Sequence, residues 1–91
     1  MFPFSQKVIS CLNQTQVVHR TFSKDTPPEE LVWHMDNEDR VITPINPTDW
    51  LFQFDNELPI PIEGNIRIPK HEIHRIIKGT GDLDLKITMY K

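Results

Sequence analysis

Residues 64–77 carry the sequence GNIRIPKHEIHRII, in which signals for a turn, a strand and a corner follow one another closely. The glycine–asparagine pair at the start tolerates a positive φ and predicts a tight turn. Two isoleucines then alternate with an arginine up to Pro69, which predicts a short strand that ends at a proline corner. A second predicted strand covers residues 72–77 and carries His74. We therefore expect two short strands joined by a rigid corner.

The remaining chain shows several short strand patterns separated by turn residues. Apolar and polar residues alternate most clearly at residues 50–55 and 83–89, as expected for strands with one buried face. Residues 4–15 instead place apolar side chains on one stripe behind Ser5, which can cap a helix, and this predicts a short N-terminal helix. Further strands are predicted at residues 17–22, 29–36, 40–45 and 58–62, the last of them broken by prolines and therefore at an edge.

These patterns predict an all-β protein with a single domain over residues 1–91. We expect residues 1–22 to form the N-terminal helix and one strand, and residues 29–89 to form the core of a barrel. Eight prolines and three glycines fit short strands that are joined by rigid corners.

Composition and charge argue against several classes of protein. The formal net charge is −3 with the histidines neutral, and the basic residues are scattered, so nucleic acid is not an expected partner. The single cysteine cannot form an internal disulfide, which fits a cytoplasmic protein. No apolar run approaches the roughly 18 residues that a membrane helix needs, so we expect no membrane association.

Two groups of residues resemble the sequence motifs of the cupin family. Gly64, Pro69 and His74 match its second motif, with one residue fewer between the glycine and the proline. His34 resembles the first histidine of its first motif, whereas Asp36 stands in place of the second histidine and the framing glycines are missing. The resemblance implies a small double-stranded β-helix, or jelly-roll barrel.

The chain also resembles small cupin-like proteins that are encoded by tailed bacteriophages. The similar segments are WHMDNEDR at residues 33–40 and DWLFQFDNELP at residues 49–59, followed by the segment at residues 68–80. This resemblance implies a fold and a phage setting, and with it the host cytoplasm, rather than an activity.

Within the predicted barrel, His34, Asp36 and His74 form a candidate metal site. Two histidines and a carboxylate can bind a divalent ion and leave open positions for a substrate, which suits Fe, Mn, Zn or Ni. Burying such groups is costly unless they are paired or bind a metal. The alternative is a metal-free pocket, in which the three side chains hydrogen-bond to one another or to Arg40 and Gln53.

Four further residues are candidates for contact with a ligand. Glu38 and Gln53 are expected to face the interior by alternation, where either can add a fourth metal ligand. Arg40 and Arg75 are candidates for binding an acidic ligand at the mouth of the barrel. The alternative for both arginines is an ordinary ion pair at the surface.

Two tryptophans bear on the question of a partner chain. Trp33 and Trp50 are expected in the core or at an interface, since aromatic residues on strands usually supply buried apolar surface. If they lie outside the barrel, the N-terminal helix or a second subunit must cover them. A homodimer is the commonest arrangement of this kind and is therefore expected.

Taken together, the patterns favour a protein that binds a small molecule in the barrel interior, with or without a divalent metal. In a phage setting, the molecule would be a metabolite or a signal of the host. The first alternative is a metal-dependent enzyme of the oxygenase or isomerase type. The second is a metal-free protein with a structural role or a role in interaction with the host.

Overall fold

The computed structural model of the protein describes residues 3–91. Its strands are β1 (Ser5–Leu12), β2 (Thr15–Phe22), β3 (Asp39–Pro44), β4 (Leu51–Phe54), β5 (Ile60–Pro61), β6 (Ile66–Ile68), β7 (His74–Ile77) and β8 (Leu83–Tyr90), and one 3₁₀ helix spans Pro28–Glu30. Within this part of the chain there is no helix long and apolar enough to span a bilayer.

The strands form two antiparallel sheets. The larger sheet has five strands in the order β1-β2-β8-β3-β6, and the smaller has three in the order β5-β4-β7. Both sheets contribute to one apolar core, in which Val18, Phe52 and Leu83 are at most 1% exposed. The prediction of an all-β fold is therefore confirmed.

Strand β8 shows how alternation in the sequence produces this core. Leu83, Leu85, Ile87 and Met89 are buried, whereas the residues between them are half-buried or exposed. The strand lies in the centre of the larger sheet, between β2 and β3. Successive side chains of a strand point to opposite faces, so these four residues cover the inner face of the sheet, as predicted.

The predicted N-terminal helix is wrong, because residues 5–12 form strand β1. The strand pairs with β2 through a hairpin turn in which Asn13 has a φ of 56°. A helix of this length is marginal by itself, whereas the edge of β2 supplies hydrogen-bond partners for the backbone. Every residue of β1 is exposed, Cys11 included. Val8, Cys11 and Leu12 of the expected apolar stripe therefore lie outside the core, whereas Phe4 packs against it.

The predicted strand at residues 29–36 is also wrong. A pair of prolines starts the 3₁₀ helix, and Leu31 closes it by donating its backbone N–H to the carbonyl of Pro28. Proline fixes φ at a value that suits the first turn of a helix, and the 3₁₀ turn takes up the first residues of the predicted strand. The segment then makes an isolated bridge between His34 and His74.

The stretch at residues 64–77 folds much as predicted. Gly64 has a φ of 62° in the turn before β6. Strand β7 begins at His74 rather than at residue 72, because His71 also takes a positive φ, of 66°, in the preceding turn. Residues 58–62 contribute β5, which is an edge strand as expected.

Trp50 is fully buried, so it needs no covering helix or subunit. Its indole Nε1 donates a hydrogen bond of 2.7 Å to the carbonyl oxygen of Gly81. The ring of Phe22 lies 6.0 Å from it between centroids. Trp33, by contrast, is 40% exposed.

Candidate metal centre

The backbones of two histidines hold the site together. The N–H of His34 donates to the carbonyl of His74 at 3.0 Å, and the N–H of His74 donates to the carbonyl of His34 at 2.9 Å. Residues paired in this way across an antiparallel bridge project their side chains to the same face. The two rings accordingly meet edge to face, with centroids 4.3 Å apart.

Asp36 joins the two histidines because it lies two residues after His34 in an extended segment. Its carbonyl accepts the N–H of His71 at 2.7 Å, which fixes the backbone at this point. Its carboxylate Oδ2 lies 3.3 Å from Nε2 of His74 and 3.5 Å from Nε of Arg40. The predicted set of His34, Asp36 and His74 is therefore brought together.

Hydrogen bonds fix the orientation of both imidazole rings. Nδ1 of His34 lies 3.0 Å from the carbonyl oxygen of Val32, and Nδ1 of His74 lies 2.8 Å from that of Glu72. A carbonyl oxygen only accepts, so each Nδ1 carries the proton. In the neutral ring, Nε2 then has a free lone pair. Metal-binding histidines are usually held in this way, with the second nitrogen donating to a carbonyl or a carboxylate.

These donors fit a divalent metal ion. One ligand atom from each of His34, Asp36 and His74 can be chosen so that all three lie within 4.8 Å of one another. With Nδ1 protonated, the lone pair of His74 Nε2 faces a carboxylate oxygen, an arrangement that a proton or a metal cation between the two atoms stabilises. Nitrogen and carboxylate ligands together suit Fe, Mn, Zn and Ni.

Charge around Asp36 favours its ionised form. Burial would raise the pKa of this carboxyl, but its interactions with the side chain of His74 and with the charge of Arg40 outweigh burial and lower the pKa below its ordinary value. Arg40 in turn donates from Nε and Nη2 to Glu38 at 2.9 and 2.7 Å. Asp36 is thus held as an anion, which is the state that binds a cation.

The three residues open onto a cavity of about 400 Å³ between the sheets. Its wall is mainly apolar and includes Phe22, Ile42, Phe52, Ile76, Leu85 and Ile87. The ring of Phe52 also stacks on that of His74 at 5.5 Å. A mainly apolar pocket with a few convergent polar groups is typical of sites for small molecules.

The other predicted ligand contacts are placed differently. Arg40 lines the cavity, and Glu38 contacts Arg40 from outside the cavity wall. Gln53 and Arg75 bond to each other at 2.9 Å, and neither lines the cavity. The expectation that Gln53 faces the interior is wrong, because the preceding residue of β4, Phe52, takes the inward position and alternation turns Gln53 outward.

Arg20 lines the cavity and was not predicted from the sequence. It lies between Val18 and Phe22 in β2, and these two residues are buried. Alternation along this strand therefore indicated its inward direction. Burial lowers the pKa of Arg20 to about 10, with the nearby charge of Arg40 acting in the same direction. The side chain remains charged at neutral pH.

Comparison with solved structures shows the fold. No protein-family model matches the sequence, and neither does any curated protein. Among solved structures, the chain is similar to a cupin superfamily protein from Desulfitobacterium hafniense, with a TM-score of 0.71 and 17% identity over 96% of this chain and 76% of that one.

Two further structures are similar. An RmlC-like cupin family protein with a double-stranded β-helix fold, from Methanocaldococcus jannaschii, has a TM-score of 0.72 and 10% identity over 99% of this chain and 82% of that one. A structure of DMSP lyases has a TM-score of 0.81 and 11% identity over 97% of this chain, which spans 47% of the lyase chain. The protein described here therefore has the cupin fold, a double-stranded β-helix.

Proposed function

We propose that the protein binds a divalent metal ion through His34, Asp36 and His74 and holds a small organic molecule in the adjoining cavity. One observation carries the metal site. Both histidines donate from Nδ1 to backbone carbonyls, and ligand atoms of all three residues lie within 4.8 Å of one another. The similarity in fold to cupin proteins supports a site inside the barrel.

The residues around the site have separable roles. A bound divalent ion would supply positive charge that polarises an oxygen of the bound molecule. Arg40 neutralises part of the charge of Asp36 and Glu38. Phe52 packs on His74 and limits the access of water from that side. The apolar wall favours a molecule that buries carbon as well as a polar end.

The test is the metal content of protein purified without a histidine tag, measured by elemental mass spectrometry. We expect about one Fe, Mn, Zn or Ni per chain. His34→Ala is the first variant, because His34 is exposed and its loss leaves the core intact. His71→Asn is the matched control, because His71 is an exposed turn residue and asparagine tolerates its positive φ.

Loss of the metal in His34→Ala, with retention in His71→Asn, would support the proposal. Protein that takes up no metal after anaerobic incubation with Fe(II), or that keeps its metal in His34→Ala, would contradict it. A metal-free pocket would then be favoured, and native mass spectrometry for a carried ligand would follow. If no ligand were found either, the structural or host-interaction role would be favoured.

An enzyme is the second candidate, because three protein ligands leave coordination positions open. The similarity in fold to DMSP lyases adds to this reading. Small hydroxy and carboxylic acids incubated with metal-loaded protein would be followed by NMR. Turnover that chelation and His34→Ala both abolish would favour an enzyme, whereas acids recovered unchanged would favour a binding protein.

The setting inferred from the sequence forms part of the same proposal. A homodimer, a cytoplasmic location and a phage setting all stay predictions. Light scattering coupled to size-exclusion chromatography would test the first of them.

A further inference from the structure

One charge in the cavity wall has no acidic partner. Arg40 forms ion pairs with Asp36 and Glu38. Arg20 forms none with any acidic residue in the described part of the chain, residues 3–91. Asp36 and Glu38 are close enough to act on the charge of Arg20, but both form their ion pairs with Arg40. A half-buried cation in an apolar cavity without an ion pair of its own favours the binding of an anion there.

The contacts of Arg20 hold its guanidinium in one orientation. Nε and Nη2 both donate to Oε1 of Gln6, at 2.8 and 2.6 Å. The ring of Phe4 lies against the guanidinium, with its centroid 3.8 Å from Cζ. The neutral amide and the ring therefore position the group without compensating its charge.

The contacts leave one edge of the guanidinium available. Within residues 3–91, no hydrogen bond of Arg20 uses Nη1, and Nη2 has a second N–H beyond the one that reaches Gln6. None of the fully buried side-chain nitrogens in this range lacks a partner, so Nη1, which has none, is not fully buried and can be reached by a ligand. Two parallel N–H groups of this kind fit the two oxygens of a carboxylate.

The other residues of the cavity restrict the kind of molecule that can carry this carboxylate. The wall of the cavity that Arg20 lines is largely apolar and includes Phe22, Ile42, Leu85 and Ile87. Two acidic residues, Asp36 and Glu30, also line the cavity. Asp36 is paired with Arg40, and Glu30 is exposed. A ligand with one carboxylate and an apolar body fits this combination, whereas a sugar or a polyanion does not.

We propose that Arg20 is the anion-binding residue of the cavity and that the ligand is an organic acid with an alkyl or aryl body. This proposal rests on the proposed function only in using the same cavity, and it does not need a bound metal. The candidate metal site of His34, Asp36 and His74 does not by itself specify the class of ligand, whereas Arg20 does.

The experiment is isothermal titration calorimetry of the full chain with two acids, octanoate and 3-phenylpropanoate. Each acid is compared with its primary amide, which has nearly the same shape and no charge. We expect the acids to bind wild-type protein about 10- to 100-fold more tightly than the amides. Arg20→Gln should remove that preference, and Arg20→Lys should retain part of it, since lysine keeps the charge without the fork.

Arg67→Gln is the matched control, because Arg67 is exposed on β6 and the change removes the same charge. We expect it to bind like the wild type. Circular dichroism and the melting temperature of each variant show whether the fold is intact. If Arg20→Gln unfolds, Arg20→Lys and Gln6→Ala provide the comparison, since the latter releases the guanidinium without removing it.

Three results would overturn the proposal: neither acid binds wild-type protein at up to about 10 mM, the acids bind no better than the amides, or folded Arg20→Gln binds the acids as tightly as the wild type. The metal-site proposal is tested separately from the acid-binding proposal. Metal uptake by Arg20→Gln and acid binding by His34→Ala report on the two proposals independently.

Discussion

The guanidinium of Arg75 lies over the ring of Trp33, with Cζ 4.3 Å from the ring centroid. Arg75 directly follows His74, and Trp33 directly precedes His34. Because His34 and His74 form a bridge with their side chains on its inner face, Arg75 and Trp33 lie on its outer face. One bridge thus presents two candidate metal ligands to the cavity and a cation–π pair to solvent.

Arg75→Gln should therefore affect stability slightly and the site not at all. An exposed cation–π contact contributes about 0.5–1 kcal/mol, and we expect a loss of that size in urea unfolding. Metal content and binding of organic acids should match the wild type. A tenfold loss of acid binding would instead place Arg75 in the ligand site, as its sequence position first suggested.

Asp36→Asn should weaken metal binding without unfolding the protein. The amide keeps the size of the side chain but removes the negative charge that His74 and Arg40 hold in place. We expect the affinity for Co²⁺ to fall by at least the roughly 10- to 100-fold that changes around metal ligands cause. Competition titration with a chromophoric chelator measures this affinity. Asp55→Asn, at an exposed position, is the control, and equal losses in both variants would argue against Asp36 as a ligand.

Gly79→Ala should destabilise the fold. A Cβ at this position would lie 2.7 Å from both Cδ1 and the backbone N of Trp50, and Trp50 is fully buried. Overpacking against a fixed core costs about 1–3 kcal/mol, which thermal and urea unfolding would detect. Gly81→Ala is the matched control, because nothing lies within 4 Å of its Cβ position. Equal stability of the two variants would contradict this steric argument.

Stability should depend on pH through Asp84. The pKa of Asp84 is lowered by hydrogen bonds from Thr21, at 2.7 Å, and from His19, at 3.0 Å. A carboxyl with a lowered pKa in the folded state stabilises the fold above its unfolded pKa of about 3.9. That contribution is lost as the pH falls through the lower, folded pKa.

Asp84→Asn should therefore lower the free energy of unfolding at pH 7 by about 0.5–1 kcal/mol, because solvent screens this partly exposed carboxylate. The difference from the wild type should disappear below about pH 4. Urea unfolding at several pH values measures both stabilities. A constant difference from neutral to acidic pH would show that Asp84 does not act through its charge.

Strands could be predicted from the sequence where apolar and polar residues alternate and the apolar ones are buried. Leu83 to Met89 alternate in the sequence and in the core alike. The resemblance of His34, Asp36 and His74 to the cupin motifs predicted the candidate site, although the strand that was expected to carry the first two is not formed. What the sequence could not supply was the exact pairing, which depends on the rest of the barrel.

Three misassignments have specific physical causes. The N-terminal segment was predicted as a helix because Val8, Cys11 and Leu12 fit one stripe of a short helix. It forms a strand because its backbone pairs with the edge of β2. The segment at residues 29–36 alternates like a strand, but the two prolines just before it start a 3₁₀ helix that takes up its first residues. Arg20 was missed because a single arginine in a strand is usually exposed, whereas here Gln6 and Phe4 hold it at the cavity wall.

The position of Gln6 on β1 has a dynamic consequence. Edge strands with few buried side chains open at a lower free energy than the core, without global unfolding. All residues of β1 are exposed, and a bulge between Val8 and Ser10 interrupts its pairing. We expect its amides to exchange hydrogen faster than those of β8. Each such opening would release Arg20 from Gln6, so local fraying of this strand would regulate how rigidly the cavity presents its unpaired cation.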